Sequence, residues 1–153
     1  MTATLPILED DVVRLEPFGM KDDIERVLDI VMKCPYTRLS REKAREALLK
    51  YETVSWHCYD KKTGIMGGIV YLTHAEKYWT LDAYKDDVLM KQIDNAMDYS
   101  FRVGKLVSDY AMTFISILLT CHAFENRGAT IVCKKLGFKE DFIVLKKEKI
   151  YGN

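Results

Sequence analysis

Glu125–Phe138 reads ENRGATIVCKKLGF, and this stretch sets the expectation for the fold. Ala129, Val132, Cys133 and Leu136 recur at i, i+3, i+4 and i+7, the apolar stripe of a short amphipathic helix that opens on the polar pair Glu125-Asn126. Gly137 follows the last apolar position, where a glycine can take the left-handed conformation that closes a helix. Phe138 then resumes an apolar run. The local unit is helix, glycine, strand.

Outward from this unit, the chain has 153 residues, enough for a single domain over 1–153 that buries roughly 70% of the surface of its unfolded chain. Its 23 basic and 23 acidic residues balance, so no excess field draws it to nucleic acid or to an anionic membrane. The longest apolar run, Ala111–Cys121, is short of the ~20 residues of a membrane span. The opening MTATLPILEDD lacks a basic-then-apolar signal, and the sequence reads as cytoplasmic. Cys34, Cys58, Cys121 and Cys133 contain no C-x-x-C pair, so free thiols and no metal site are expected.

In chain order, residues 1–11 show no periodicity and are expected to be loosely ordered. Val13 and Leu15 alternate with Arg14 and Glu16 in a first strand that Pro17 should stop. Ile24, Val27, Leu28 and Val31 recur at helical spacing behind Asp22 and Asp23, up to Pro35. Ser40 is a good N-cap for a second helix carrying Ala44, Ala47, Leu48 and Tyr51. Val54–Tyr59 and Ile65–Leu72 form a hairpin, with a bulge or close backbone approach expected at Gly67-Gly68. Tyr78–Tyr84 alternates Trp79, Leu81 and Ala83 against Thr80, Asp82 and Tyr84. Asp86 to about Gly104 reads as one long helix with Leu89, Ile93, Ala96 and Met97 inward. Tyr110–Thr120 reads as a fifth strand, although its unbroken apolarity also suits a buried helix. Phe142–Leu145 and Lys149–Tyr151 supply one or two closing strands.

The helix-glycine-strand unit resembles the last block of the GCN5-related N-acetyltransferase (GNAT) superfamily, N-x-x-A-x-x-x-Y-x-x-x-G-F. Asn126, Ala129, Gly137 and Phe138 fall at the matching spacings, and Cys133 stands where the family has tyrosine. The order of elements, β-α-α-β-β-β-α-β-α-β, is also the family's. The resemblance implies an α/β (α+β) fold, with a mixed, mostly antiparallel sheet of six to seven strands flanked by about four helices. It further implies transfer of an acyl group, most simply acetyl from acetyl-CoA, to an amine of a protein or small molecule. No metal, nucleic-acid or membrane partner is implied, and a homodimer is left open.

By the same resemblance, the coenzyme's pantetheine arm lies along the backbone of the Tyr78–Tyr84 strand, at Leu81, Ala83 and Tyr84. Val88 stands at the start of the next helix, and Asn126 can hydrogen-bond the pantetheine or simply cap its own helix. The family's pyrophosphate loop reads Q/R-x-x-G-x-G/A before the third helix. The segment Tyr84–Leu89, taken as that loop, has no glycine and carries Asp86 and Asp87. Asp82 is the candidate for deprotonating or gripping the amine; a solvated strand carboxylate is the plainer account. Cys133 could protonate the leaving thiolate in the tyrosine's place or be a small core residue. Tyr78, Trp79 and Tyr84 could line an acceptor groove, while Trp56 and Phe101 suit the core. The competing reading is a GNAT-like binding module without turnover.

Overall fold

A computed structural model describes residues 5–122 and 126–140. The described strands form one six-stranded sheet, with its central strands β3 and β4 buried on both faces, in the spatial order β1 (Leu8–Glu9), β2 (Val13–Phe18), β3 (Thr53–Asp60), β4 (Met66–Ala75), β5 (Tyr78–Lys85) and β6 (Leu118–Thr120). All neighbours are antiparallel except β5 and β6, which run parallel. Helices α1 (Ile24–Lys33) and α2 (Arg41–Lys50) join β2 to β3. A short α3 (Asp87–Met90) and the long α4 (Ala96–Ala111) join β5 to β6, and α5 (Arg127–Lys135) follows.

The period of two sends alternate side chains to opposite faces, and each face has its own core. On one, Val13, Leu15, Trp56, Cys58, Val70, Leu72 and Leu81 meet Tyr99, Val103 and Val107 of α4. On the other, Ile69 and Tyr71 meet Val27, Leu28 and Val31 of α1 and Ala44 and Leu48 of α2. Helix α5 lies beside α4 with its N-terminus at the same end. A Cβ on Gly128 would sit 4.0 Å from Met97 Cε, and one on Gly104 would sit 2.6 Å from Leu136 Cδ1.

Local chemistry fixes several ends as the sequence leads one to expect. Ser40 caps α2 by accepting from the Lys43 N–H at 3.2 Å. Gly137, at φ +91°, closes α5. The Phe138 N–H donates to the Cys133 carbonyl at 3.0 Å and the Gly137 N–H to the Lys134 carbonyl at 3.1 Å, the paired bonds of a Schellman ending. Gly67 is bulged out between the pairs Cys58–Gly68 and Tyr59–Met66. A Cβ on Gly67 would meet Met90, Ile93 and the Tyr99 hydroxyl, while one on Gly68 would run into the Tyr84 carbonyl oxygen.

Four expectations are corrected. Leu8 and Glu9 pair with Leu15 and Arg14, so residues 1–11 include a strand. Pro17 does not stop β2, which runs on to Phe18 opposite Ser55. The ladder's alternation turns position 17 away from β3, toward an edge that β1 does not cover, so the missing N–H leaves no gap.

The expected helix from Asp86 to Gly104 is two helices. Met90 and Ile93 are buried although the chain between α3 and α4 is not helical, and their spacing imitates a continuous stripe. The inward face of α4 is Tyr99, Val103 and Val107, and Met97 is exposed. The expected strand Tyr110–Thr120 is mostly not a strand. Tyr110 and Ala111 finish α4, a turn follows in which Met112, Phe114 and Ile117 are exposed, and only Leu118–Thr120 pairs. The expected closing strands at 142–145 and 149–151 lie outside the described residues.

Candidate active site

Strands β5 and β6 pair at Trp79–Leu118, Thr80–Leu119 and Leu81–Thr120, and no further. The Thr120 hydroxyl ends the contact by donating to the Leu81 carbonyl at 2.8 Å. Beyond it, β5 continues to Lys85 with no neighbour on that edge among the described residues. The Asp86 N–H donates to the Gly67 carbonyl at 2.8 Å. By the alternation of an antiparallel ladder, Tyr84 and Asp82 therefore spend their backbone groups on β4, and Ala83 and Lys85 turn theirs to the open edge. Among the described residues, the main-chain N–H and C=O groups of these two positions have no strand partner on that side.

The other side chains of this segment face α1 and α2. Asp82, Tyr84 and Thr80 join Tyr71 and Thr73 on the sheet wall of a cleft of about 380 Å³. Tyr36–Leu39 of the α1–α2 connection, with Leu48 and Tyr51, form the opposite wall. The rings of Tyr71 and Tyr84 lie 6.5 Å apart and nearly parallel. Asp82 has a single hydrogen bond among the described residues, from the Thr80 hydroxyl at 3.3 Å. Burial raises its carboxyl above the ordinary range, with the Thr80 bond acting against the shift. The carboxyl in turn raises the phenols of Tyr71 and Tyr84, which burial already pushes up. An unpaired carboxylate among tyrosines is a grip for a cation and an acceptor for its proton.

The other sequence candidates are dispersed. The Leu81 side chain is buried in the α4-side core and its carbonyl is taken by Thr120. Tyr84 belongs to the cleft rather than to the open edge. Val88 is 62% exposed, and its N–H, like that of Leu89, already donates to Asp86 Oδ1, at 3.0 and 3.2 Å. Asp86 also pairs with Lys33 at 3.0 Å. Burial opposes ionisation of Asp86, but the bonds from Lys33 and the two N–H groups outweigh it and hold its carboxyl low. Asn126 caps α5, its side-chain oxygen accepting from the Ala129 N–H at 3.1 Å. Cys133 is half-buried on α5 and burial raises its thiol.

The start of α3 therefore does not fit a pyrophosphate, because a carboxylate of the chain itself fills it. The long helix starts later, after Gln92-Ile93-Asp94-Asn95. Asn95 is left-handed, at φ +52°, and its side chain accepts from the Asp98 N–H at 3.2 Å. Asn tolerates this conformation better than any residue but glycine, and it stands at the first glycine of a Q-x-x-G-x pattern. The front of α4 lies beside the N-terminus of α5, where a Cβ on Gly128 would sit 4.0 Å from Met97 Cε. The sequence reading began the long helix at Asp86, whereas it starts at Ala96. Arg102-Val103-Gly104 lies inside α4, where Arg102 binds Asp98, Asp10 and Asp11 at 2.8–3.2 Å.

Of the aromatics, Tyr84 lines the cleft and Trp56 is fully buried. Trp79 turns to the other face, stacked on His74 and edge-on to Phe114. Tyr36, Tyr51, Tyr71 and Arg38 join the cleft without any local signal. Only the alternation of Tyr84 with Asp82 foretold a shared wall. The four cysteines are free. No helix among the described residues is long and apolar enough to cross a membrane, and no cluster of three or more metal-type ligands occurs among them.

The arrangement of the described elements, with helices α1 and α2 on one face of the sheet, α4 and α5 on the other, and a parallel pair β5–β6 that ends at Leu81–Thr120, defines the fold class. It is the GNAT fold. A provisionally designated GnaT-family acetyltransferase from Bordetella pertussis is similar over 93% of both chains at 13% identity and a TM-score of 0.68. An acetyltransferase from Agrobacterium tumefaciens str. C58 matches 97% of this chain and 92% of its own at 15% identity and a TM-score of 0.63. An aminoglycoside N-acetyltransferase in complex with coenzyme A matches 93% and 98% at 11% identity and a TM-score of 0.58. No protein-family model and no curated protein sequence matches the chain.

Proposed function

We propose that the protein transfers an acetyl group from acetyl-CoA to an amine by direct attack. The observation that carries the reading is the end of the β5–β6 pairing at Leu81, with β5 running on to Lys85 unpaired on that edge among the described residues, one strand position from a carboxylate that faces a cleft. Acetyl-CoA supplies the acyl group as a thioester, whose carbonyl carbon the amine attacks as sulfur departs. The Ala83 N–H, on the open edge, is the donor for the oxygen that gains charge. Asp82 holds the acceptor's ammonium in the cleft and takes one proton from it, which frees the lone pair for attack; the second proton that nitrogen sheds as the amide forms balances the one the departing sulfur gains. Cys133, kept protonated by burial, is the proton donor nearest in sequence role to the family's tyrosine. The front of α4, Gln92–Met97, and the α5 end at Asn126 are the places for the nucleotide portion. A cytoplasmic setting belongs to the same proposal.

A second reading, a GNAT-fold binding module without turnover, draws on the self-capped α3 and on cysteine at the tyrosine position. Melting with acetyl-CoA separates the two. At about 100 times its dissociation constant, a ligand of the native state adds ~2.7 kcal/mol, which raises Tm by about 5–10 °C for a domain of this size. Such a shift, with thiol release in the presence of amines, supports the transferase. No shift at millimolar acetyl-CoA refutes it.

A further inference from the structure

The cleft holds two opposite charges that no described residue neutralises. Asp82, on the sheet wall, has only the Thr80 hydroxyl. Arg38, on the opposite wall, is exposed and has no ion pair or hydrogen bond among the described residues. The neighbouring bases differ in this respect. Arg41 is held by Glu25 and Asp29, Arg45 by Glu25, and Lys33 by Asp86, at 2.5–3.0 Å. The rest of the lining is mainly apolar or aromatic, with Leu39, Leu48, Tyr51 and Tyr71 among it beside three threonine hydroxyls, Thr37, Thr73 and Thr80.

We infer that the acceptor is a zwitterion on an apolar or aromatic frame, an amino acid or close analogue, with its ammonium on Asp82 and its carboxylate on Arg38. This rests on the transferase reading only in calling the ligand an acceptor. A polyamine meets one carboxylate and a repelling guanidinium, because Asp82 is the cleft's single acid among the described lining residues. A simple arylamine satisfies Asp82 and leaves Arg38 unused. Arg38 suits a carboxylate because its fork of donors can bind both oxygens at once. At about 380 Å³ the cleft is at the small end of ligand sites, sized for a small molecule rather than a folded surface.

Calorimetry on the full chain tests the inference without turnover. The ligands are L-phenylalanine and 4-(aminomethyl)benzoate, their counterparts lacking the acid, phenethylamine and benzylamine, and spermidine. At least one zwitterion should bind about tenfold tighter than its acid-free counterpart, a difference of ~1.4 kcal/mol. In Arg38→Gln, an exposed change that leaves both cores intact, that margin should collapse. Asp82→Asn should weaken zwitterion and amine alike. Equal or tighter binding of the simple amines or spermidine, a margin that survives Arg38→Gln, or no binding by any of the five overturns the inference. Zwitterion binding with no acetyl-CoA-induced change in Tm upholds the ligand class and removes the transferase reading. An acetyl-CoA shift with amines preferred does the reverse.

Discussion

Asp82 shows function and stability pulling apart at one side chain. Its carboxyl is raised by burial, so folding keeps a proton that the unfolded chain, at about 3.8, releases. The sign follows: the stability associated with neutral Asp82 is fully present below the unfolded value and is lost as pH rises through the raised native value. Asp82→Asn removes that loss. The variant should melt higher than the parent, with the gap widening as pH increases from 4 to 7, and 1 kcal/mol would read as about 2–4 °C. Acetyl transfer should fall by 10²-fold or more on the scale of a lost general base. In the parent, kcat/KM should rise with pH through the raised carboxyl value. A variant that melts lower at neutral pH, or that keeps full activity, contradicts the account.

Among the elements, the bulge in β4 is the joint that holds sheet and helix together. Gly67 leaves the ladder, and the Tyr99 hydroxyl of α4 reaches into the gap to donate to the Cys58 carbonyl at 2.6 Å. Tyr99→Phe keeps the ring but removes that donor within a buried setting, and should cost about 1–3 kcal/mol by denaturant melting. Gly68→Ala drives a methyl group against the Tyr84 carbonyl oxygen, backbone that cannot swing aside, and should cost about 1–3 kcal/mol. The bulge was legible because Gly67 and Gly68 bring no side chain to pack inside a strand, and glycines so placed mark a bulge or a close backbone approach. The strands β2, β3 and β5 and the helices α1, α2 and α5 were legible too from their periods and from end signals such as Ser40 or Gly137, and β4 as the second arm of the hairpin begun by β3. What escaped was decided by contacts between distant segments. Ile93 is buried without being helical, three residues after the buried Met90 that ends α3, so their spacing concealed the break before Asn95. Phe114 and Ile117 are apolar yet exposed, so composition suggested a strand where the chain turns.

At the scale of the molecule, the candidate site is a meeting of segments far apart in sequence, and this explains how much of it could be read beforehand. Asp82 and its facing direction followed from alternation within one strand. The opposite wall did not, because Tyr36, Arg38 and Tyr51 reach the cleft only when α1 and α2 fold over the sheet. The expectation of a slot came from the resemblance to the GNAT family rather than from any residue; what the structure shows is a β5–β6 contact of three strand pairs.

Those three pairs have a cost in solution behaviour. A run of β5 whose amides and carbonyls have no strand partner on that edge among the described residues is a template on which another chain can add a strand, and the positions flanking it bear no proline. Heated below its Tm without ligand, the protein should scatter light earlier and in a concentration-dependent way. Acetyl-CoA, by lying along the same run, should delay that onset by more than its effect on Tm explains. Colloidal longevity would then depend on donor supply, making the coenzyme a guardian of the empty catalyst as well as its fuel.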